Sequence, residues 1–500
     1  MSDASPPATA ASTPSARLVD FVKAYDVRGV VPEQLDGRVA RALGSAFAQV
    51  VALPDGATEI VVGHDMRPSS PELSRAFAAG AAEHGVGVRL IGLASTDQLY
   101  YASGALDEPG AMFTASHNPA QYNGIKLCRS GARPVGQDTG LVQVRDLAQA
   151  RLDASVAADS ADPDTADGQR SAGSIVEQDL LAGYAAFLRS LVDLSSGRAL
   201  TVVVDAGNGM AGHTVPAVLG TAVGLAPLPL RIVPLYFELD GTFPNHEANP
   251  LEPENLRDLQ AAVLEHGADL GLAFDGDADR CFVVDERGEP VSPSAVTALV
   301  AAREIAKEVA RGVPAHQVKI VHNVITSAAV PEVIAEQGAQ AVRTRVGHSF
   351  IKAEMAAAGA VFGGEHSAHY YFREFWFADT GMLAAMHVLA ALGESTGPLS
   401  HLVAAYQRYA ASGEINSTVT DRAAATARAL DWARAQGPVE VDSLDGLTVR
   451  HTGAPMWWFN VRASNTEPLL RLNVEAADAA TMTRVRDAVL ALLREGDGDA

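Results

Sequence analysis

Asp275-Gly276-Asp277-Ala278-Asp279-Arg280 places three carboxylates on alternate residues between the apolar runs LGLAF and CFVV. Like charges this close repel unless a cation neutralises them. The small residues between them let the backbone curl around an ion, and hard oxygen ligands suit Mg²⁺ or Ca²⁺. An EF-hand is the nearest rival, because Glu286 stands at the twelfth position of the run. Arg280 occupies the sixth position, where the sharp turn needs glycine, and FVV continues as a strand. The run therefore reads as a metal loop with room for a phosphate oxygen.

Three further segments carry usable groups. In AMFTASHNPAQYNGIK (111–126), an apolar strand runs into Ser116-His117-Asn118-Pro119. Asn-Pro forces an extended or turn geometry after the serine, which presents its hydroxyl at a strand end. A hydrolase triad is disfavoured: G-x-S-x-G is absent, and adjacent Ser and His point to different sides of a strand. Lys126 is close enough in sequence to return to the same place. In VFGGEHSAHYYF (361–372), Glu365 can accept hydrogen bonds from sugar hydroxyls, and Ser367 can donate and accept. In NVRASNTEP (460–468), Arg462, Ser464, Asn465 and Thr466 combine a guanidinium fork with uncharged donors, as a phosphate requires. Leu470, Leu472 and Val474 alternate along the following strand, and Arg471 lies on the face opposite to them, with its role open.

The elements that must position these groups alternate between strands and helices. EIVVGHD (59–65) reads as a strand, 71–84 as a helix and VGVRLIG (86–92) as a strand, a βαβ pattern with a mainly parallel sheet. Residues 1–16 read as a disordered tail, and the acidic, small-residue segment 153–174 as a linker or surface insertion. Domain I then spans 17–152, domain II 175–287, domain III 288–410 and domain IV 411–500. The last opens polar and closes on strands and the helix 482–495. One decoy lies at the strand TVVVD, where Gly207-Asn208-Gly209-Met210-Ala211-Gly212 fits a dinucleotide fingerprint. Glu238 and Asp240 come late for the ribose acid, and hydride transfer would leave the triple Asp loop unexplained.

Bulk properties narrow the class. The 500-residue chain is 48% hydrophobic and 20% charged, which is globular, with ample material for several cores. A formal charge of −22 disfavours nucleic acid, and it means that an anionic substrate must meet its positive charge inside one cleft. Two cysteines, no signal-peptide pattern and no apolar run of about 18 residues point to a reducing, cytoplasmic setting without membrane insertion.

Together the four segments resemble the α-D-phosphohexomutase family, specifically its bacterial phosphomannomutase/phosphoglucomutase branch. The similarity runs from AYDVRG (24–29) through VVDAGNGMAG (203–212), FPNHEANPLEPENL (243–256) and VGHSFIK (346–352) to RASNTEP (462–468). The resemblance implies an α/β fold: three related mixed α/β domains plus a smaller C-terminal α+β domain around a central active-site cleft. It implies a phosphohexomutase that interconverts hexose 1-phosphate and hexose 6-phosphate, of mannose or glucose. Ser116 becomes the phosphorylated serine, and Asp275, Asp277 and Asp279 join it as ligands of Mg²⁺. Arg28, His117, Lys126, Arg280 and His348 fall in the catalytic group. Tyr25, Glu365, Ser367, His369, Arg462, Ser464, Asn465 and Thr466 fall in the substrate-binding group. A hexose 1,6-bisphosphate serves as intermediate and activator. Lys126, His348 and His369 are candidates for the base. The partners implied are small hexose phosphates, with no nucleic acid or membrane, for a monomer or weak dimer. Phosphoglucosamine mutase is the rival enzyme, and a non-catalytic sugar-phosphate sensor the rival of another class. Ser-Ala-His at 367–369 replaces the branch's common Ser-Gly-His, which puts the loop's backbone freedom in question.

Overall fold

The computed structural model describes residues 17–23, 25–158, 171–463 and 469–495. The expected tail at 1–16 and most of the expected acidic linker lie outside the described residues. Four sheets of seven, five, four and five strands follow one another along the described chain.

The first sheet is mixed rather than mainly parallel. Strands Glu59–His64, Gly87–Leu93 and Gly110–Phe113 run parallel. Tyr122–Arg129 turns back antiparallel beside Gly110–Phe113 and pairs on its other side with Val27–Val30. The reversal has a local cause. The eight residues between the two strands are too few for a helical crossover. Ser116 lies in that reversal.

Two boundaries differ from the sequence reading. The helix Leu141–Ala158 runs on into the acidic segment, and Ile175–Glu177 adds a parallel strand to the first sheet beside Gly87–Leu93. The second unit thus begins with the helix Leu181–Leu191. Its sheet ends with Pro290–Val291, paired to Cys281–Asp285, so that strand belongs to the second unit rather than the third. Hydrogen-bond pairing decides both cases, and hydropathy alone does not carry that information.

The second and third units share one continuous apolar core, from Tyr184 to Val403, which Tyr100, Cys128 and Ala132 of the first unit join. The first unit has its own core, around Phe47, Phe77 and Phe113. The fourth is an all-antiparallel sheet covered by two helices, Arg422–Ala435 and Ala479–Arg494, over a separate core with Trp457 at its centre. Its alternation at Leu470, Leu472 and Val474 turns those side chains inward, as period-two patterning requires.

Candidate functional site

The metal loop joins Leu270–Phe274 to Cys281–Asp285, two strands buried along their whole length. It meets the serine turn so closely that a Cβ on Gly276 would sit 2.5 Å from the carbonyl oxygen of Ser116, so only glycine fits. Asp275, Asp277 and Asp279 are buried, and an oxygen from each lies within 4.8 Å of the others.

These carboxylates are held by cations and hydroxyls. Arg280 reaches Asp275 Oδ2 with Nε at 2.9 Å and with Nη2 at 2.8 Å. Lys126 Nζ bridges Asp277 Oδ2 at 2.7 Å and Asp279 Oδ2 at 2.5 Å. Thr96 Oγ1 donates to Asp277 Oδ2 at 2.6 Å. Asp277 Oδ1 and Asp279 Oδ1 are buried without a hydrogen-bond partner. Orphaned acceptors in a low-dielectric site are costly, and two of them converging in an all-oxygen cage fit a hard divalent cation.

Ser116 stands beside this cage. Its hydroxyl donates to Asp275 Oδ2 at 2.8 Å and lies 3.3 Å from His117 Nδ1. Its backbone is left-handed, with φ +50°, although it is no glycine. The other ring contact of His117 is with Arg280 Nη2, at 2.6 Å. Burial, then Arg280 and Arg28, push the His117 imidazole well below its usual range, so it is neutral at pH 7.

Burial opposes charge on Lys126, but Asp277 and Asp279 outweigh it and hold the ammonium above its usual range. His369 behaves alike: burial lowers its pKa, but Asp279 and Asp379 raise it more. Its Nδ1 lies 2.9 Å from Asp379 Oδ2, and Lys352 Nζ lies 2.6 Å from the other oxygen of Asp379. The backbones of Arg280 and His369 form a β-bridge, which locks the 275–280 loop to the 365–369 turn.

The segment 365–369 turns between the strands Phe362–Gly364 and Tyr370–Phe372. Ala368 is buried at φ +64°, so the alanine that departs from the branch pattern sits where glycine is easiest. Glu365 is buried, with both oxygens engaged. Tyr371 Oη donates to Oε2 at 2.6 Å, Asn323 Nδ2 to Oε1 at 3.1 Å and the Gly347 amide to Oε1 at 3.2 Å. Ser367 is partly exposed on the same turn. Tyr25 packs edge-on to Phe350 across the cleft, with ring centroids 6.2 Å apart.

Arg28 reaches the serine turn through the carbonyl of Ala115, at 3.1 Å, and the side chain of Asn118. Arg462 pairs with Glu414, which also holds Arg471 at 3.2 Å. Arg462 and Arg471 are register partners on neighbouring strands, so their side chains share the sheet face opposite to that of Leu470, Leu472 and Val474. Ser464, Asn465, Thr466 and the side chain of His348 lie outside the described residues.

Several supporting residues were missed in the sequence. Buried Asp97 accepts hydroxyls from Tyr184 at 2.7 Å and Thr380 at 2.6 Å, and from Ser95, and so joins the first three units. Asp379, Lys352, Tyr371 and Glu414 hold or orient predicted groups. Arg67 grips the serine turn. Lys352 and Tyr371 fall inside the quoted segments VGHSFIK and VFGGEHSAHYYF without standing out there, and Arg67, Asp97, Asp379 and Glu414 lie outside all the quoted segments.

Four family models match in order. They are described as phosphoglucomutase/phosphomannomutase alpha/beta/alpha domain I at 20–150, domain II at 182–288, domain III at 293–409 and the C-terminal domain at 414–492. A protein of Xanthomonas campestris described as phosphohexose mutases is 41% identical over 477 residues, covering 95% of this chain and 99% of its own. A phosphomannomutase of Escherichia coli is 37% identical over 479 residues, covering 94% and 98%. The crystal structure of a phosphoglucomutase/phosphomannomutase family protein from Burkholderia thailandensis superposes with a TM-score of 0.78 at 29% identity, covering 96% of this chain and 98% of that one. Among the described residues, no helix is long and apolar enough to cross a membrane.

Proposed function

Because the chain belongs to the phosphoglucomutase/phosphomannomutase family and is a phosphohexose mutase, we propose that Ser116 is the carrier through which phosphate moves between O1 and O6 of mannose and glucose phosphates. The observation that supports this most is the Ser116 hydroxyl, 2.8 Å from a three-carboxylate cage with two orphaned oxygens.

Asp275, Asp277 and Asp279 would hold Mg²⁺, together with an oxygen of phosphorylated Ser116. When bound, the cation offsets charge on the phosphoryl oxygens. The protein's own residues do the rest by placement and charge. Arg462, Ser464, Asn465 and Thr466 hold the phosphate that is not transferred. Glu365, Ser367 and Tyr25 line the sugar's place, and the sugar's free hydroxyl faces the phosphoserine. Transfer gives a hexose 1,6-bisphosphate, which turns within the cleft and returns its other phosphate to Ser116.

Asp277 and Asp279 hold Lys126 as an ammonium, and Asp279 and Asp379 favour the charged form of His369, so each acts first on phosphate oxygens. Either serves as base only after giving up its proton, and His348 remains a candidate. A loop that contacts O3 and O4 leaves C2 unread, so mannose and glucose both fit. The buried free cysteines agree with a cytoplasmic enzyme.

Coupled turnover with mannose 1-phosphate, glucose 1-phosphate and glucosamine 1-phosphate, each with and without bisphosphate, tests the substrate reading. Turnover of the amino sugar alone would reject it. Ser116→Ala should abolish turnover and leave no phosphoserine by mass spectrometry. Full activity in excess EDTA would remove the carboxylate cage from the mechanism.

A further inference from the structure

The serine turn is fastened by one buried side chain. The side chain of Arg67 is 0% exposed. Its Nη2 donates to the carbonyl oxygens of Ser116 at 2.9 Å and Asn118 at 2.6 Å. Its Nη1 donates to those of Pro119 and Tyr122, both at 2.9 Å. Four carbonyl dipoles aimed at one point repel one another unless a cation sits between them, and a planar guanidinium matches that geometry where a point ammonium does not.

Arg67 is itself fixed. Its amide donates to Asp65 Oδ1 at 3.0 Å, Ser70 Oγ donates to the same oxygen at 2.6 Å, and Asp65 Oδ2 lies 3.3 Å from its Nε. From the second unit, the Phe243 ring lies 5.1 Å from the guanidinium carbon. The clamp therefore spans the two units whose junction holds Ser116 against Asp275.

Resting on Ser116 as carrier, we propose that Arg67 is a positioning residue for phosphoryl transfer, holding the serine turn in the left-handed conformation that aims Oγ at the carboxylate cage. The serine backbone stays at φ +50°, unfavourable for a side chain with a Cβ, because its carbonyl is captured on the far side. The guanidinium is fully buried and its hydrogen bonds into the turn all go to backbone carbonyls, so its effect falls on the transfer step and not on substrate binding.

The test is R67K, which keeps the charge and loses the fork. Circular dichroism and thermal melting check the fold. Steady-state kinetics with glucose 1-phosphate, and mass-spectrometric timing of Ser116 phosphorylation by glucose 1,6-bisphosphate, report the step. Loss of Oγ alignment by about 1 Å predicts that both kcat and the phosphorylation rate fall about 10²-fold. KM should stay within about twofold, the signature of a lost transfer-step contribution. A folded R67K that is phosphorylated at the wild-type rate overturns this inference alone. Wild-type enzyme that gains no phosphate at Ser116 overturns the carrier reading, and this inference with it. If R67K does not fold, F243L decides by removing the ring over the guanidinium: a lower kcat at unchanged KM supports the inference, and an unchanged kcat overturns it.

Discussion

Replacing Asp97 by asparagine removes a charge while keeping the side chain's shape. Wild-type Asp97 is 1% exposed, and the groups that hydrogen-bond it are hydroxyls, those of Ser95, Tyr184 and Thr380. Burial pushes its carboxyl from 3.8 up to about 6, with the hydroxyl bonds pulling down and distant Asp279 pushing up. The native state then keeps its proton to higher pH than the unfolded chain. Between about pH 4 and about pH 6 the native state binds more protons, so stability falls as pH rises. Above that window the cost is complete, two units at about 1.4 kcal/mol each, or about 3 kcal/mol. Asparagine is spared this cost and can satisfy the site. Its oxygen accepts from Tyr184 and Thr380, which already share Asp97 Oδ2, and its amide donates to Ser95 Oγ after the hydroxyl turns. Denaturant melts of both proteins, run side by side, should show D97N gaining on wild type by about 2 kcal/mol from about pH 4.5 to about pH 7.5, because about 1 kcal/mol of the cost is already present at the lower pH. A constant difference across that range, or one that turns against D97N as pH rises, would refute the account of a carboxylate buried without a cation.

Three further outcomes follow from the site. R462A should raise KM for hexose phosphates about 10- to 100-fold, the loss of a charge-assisted pair, as read by steady-state kinetics. Y371F leaves Glu365 Oε2 buried without its hydroxyl donor and should lower stability by about 1–3 kcal/mol in thermal or denaturant melts. A368G relieves a left-handed alanine worth about 1–2 kcal/mol and gives back about 1 kcal/mol in unfolded-chain entropy. The melting temperature should therefore barely move, while hydrogen exchange in the 365–369 turn quickens.

The local part of the site was legible in the sequence. Asp275, Asp277 and Asp279 announce themselves because their spacing is a chemical statement by itself, and Asn118-Pro119 marks the turn after Ser116. Strands and helices with clear periodicity, such as Glu59–His64 and Ala479–Arg494, lie where the pattern puts them. What escaped depends on contacts between distant residues. Asp97 and Thr380 are 283 positions apart, and Lys126 and Asp277 are 151 apart, so no window along the chain contains either pair. Arg67 stands three positions before the helix Ser70–Ala82, and nothing among its sequence neighbours points to the serine turn 49 residues on. Glu365 was expected to face sugar hydroxyls, yet much of its hydrogen-bonding capacity goes to Tyr371, Asn323 and Gly347. Ile175–Glu177 was assigned to the wrong unit because a three-residue edge strand carries almost no pattern, and its pairing with Gly87–Leu93 is set in three dimensions.

The positive φ of Ser116 sets two selection pressures against each other at one codon. Glycine suits that backbone better, by at most about 1 kcal/mol once its own entropy is counted. Losing the hydroxyl strands nothing, because Arg280 still holds Asp275. A laboratory library sorted only for heat resistance should therefore accumulate glycine at 116, and one sorted for growth on its sugar should restore serine. Melting temperature would then be a misleading guide to an improved enzyme at this position.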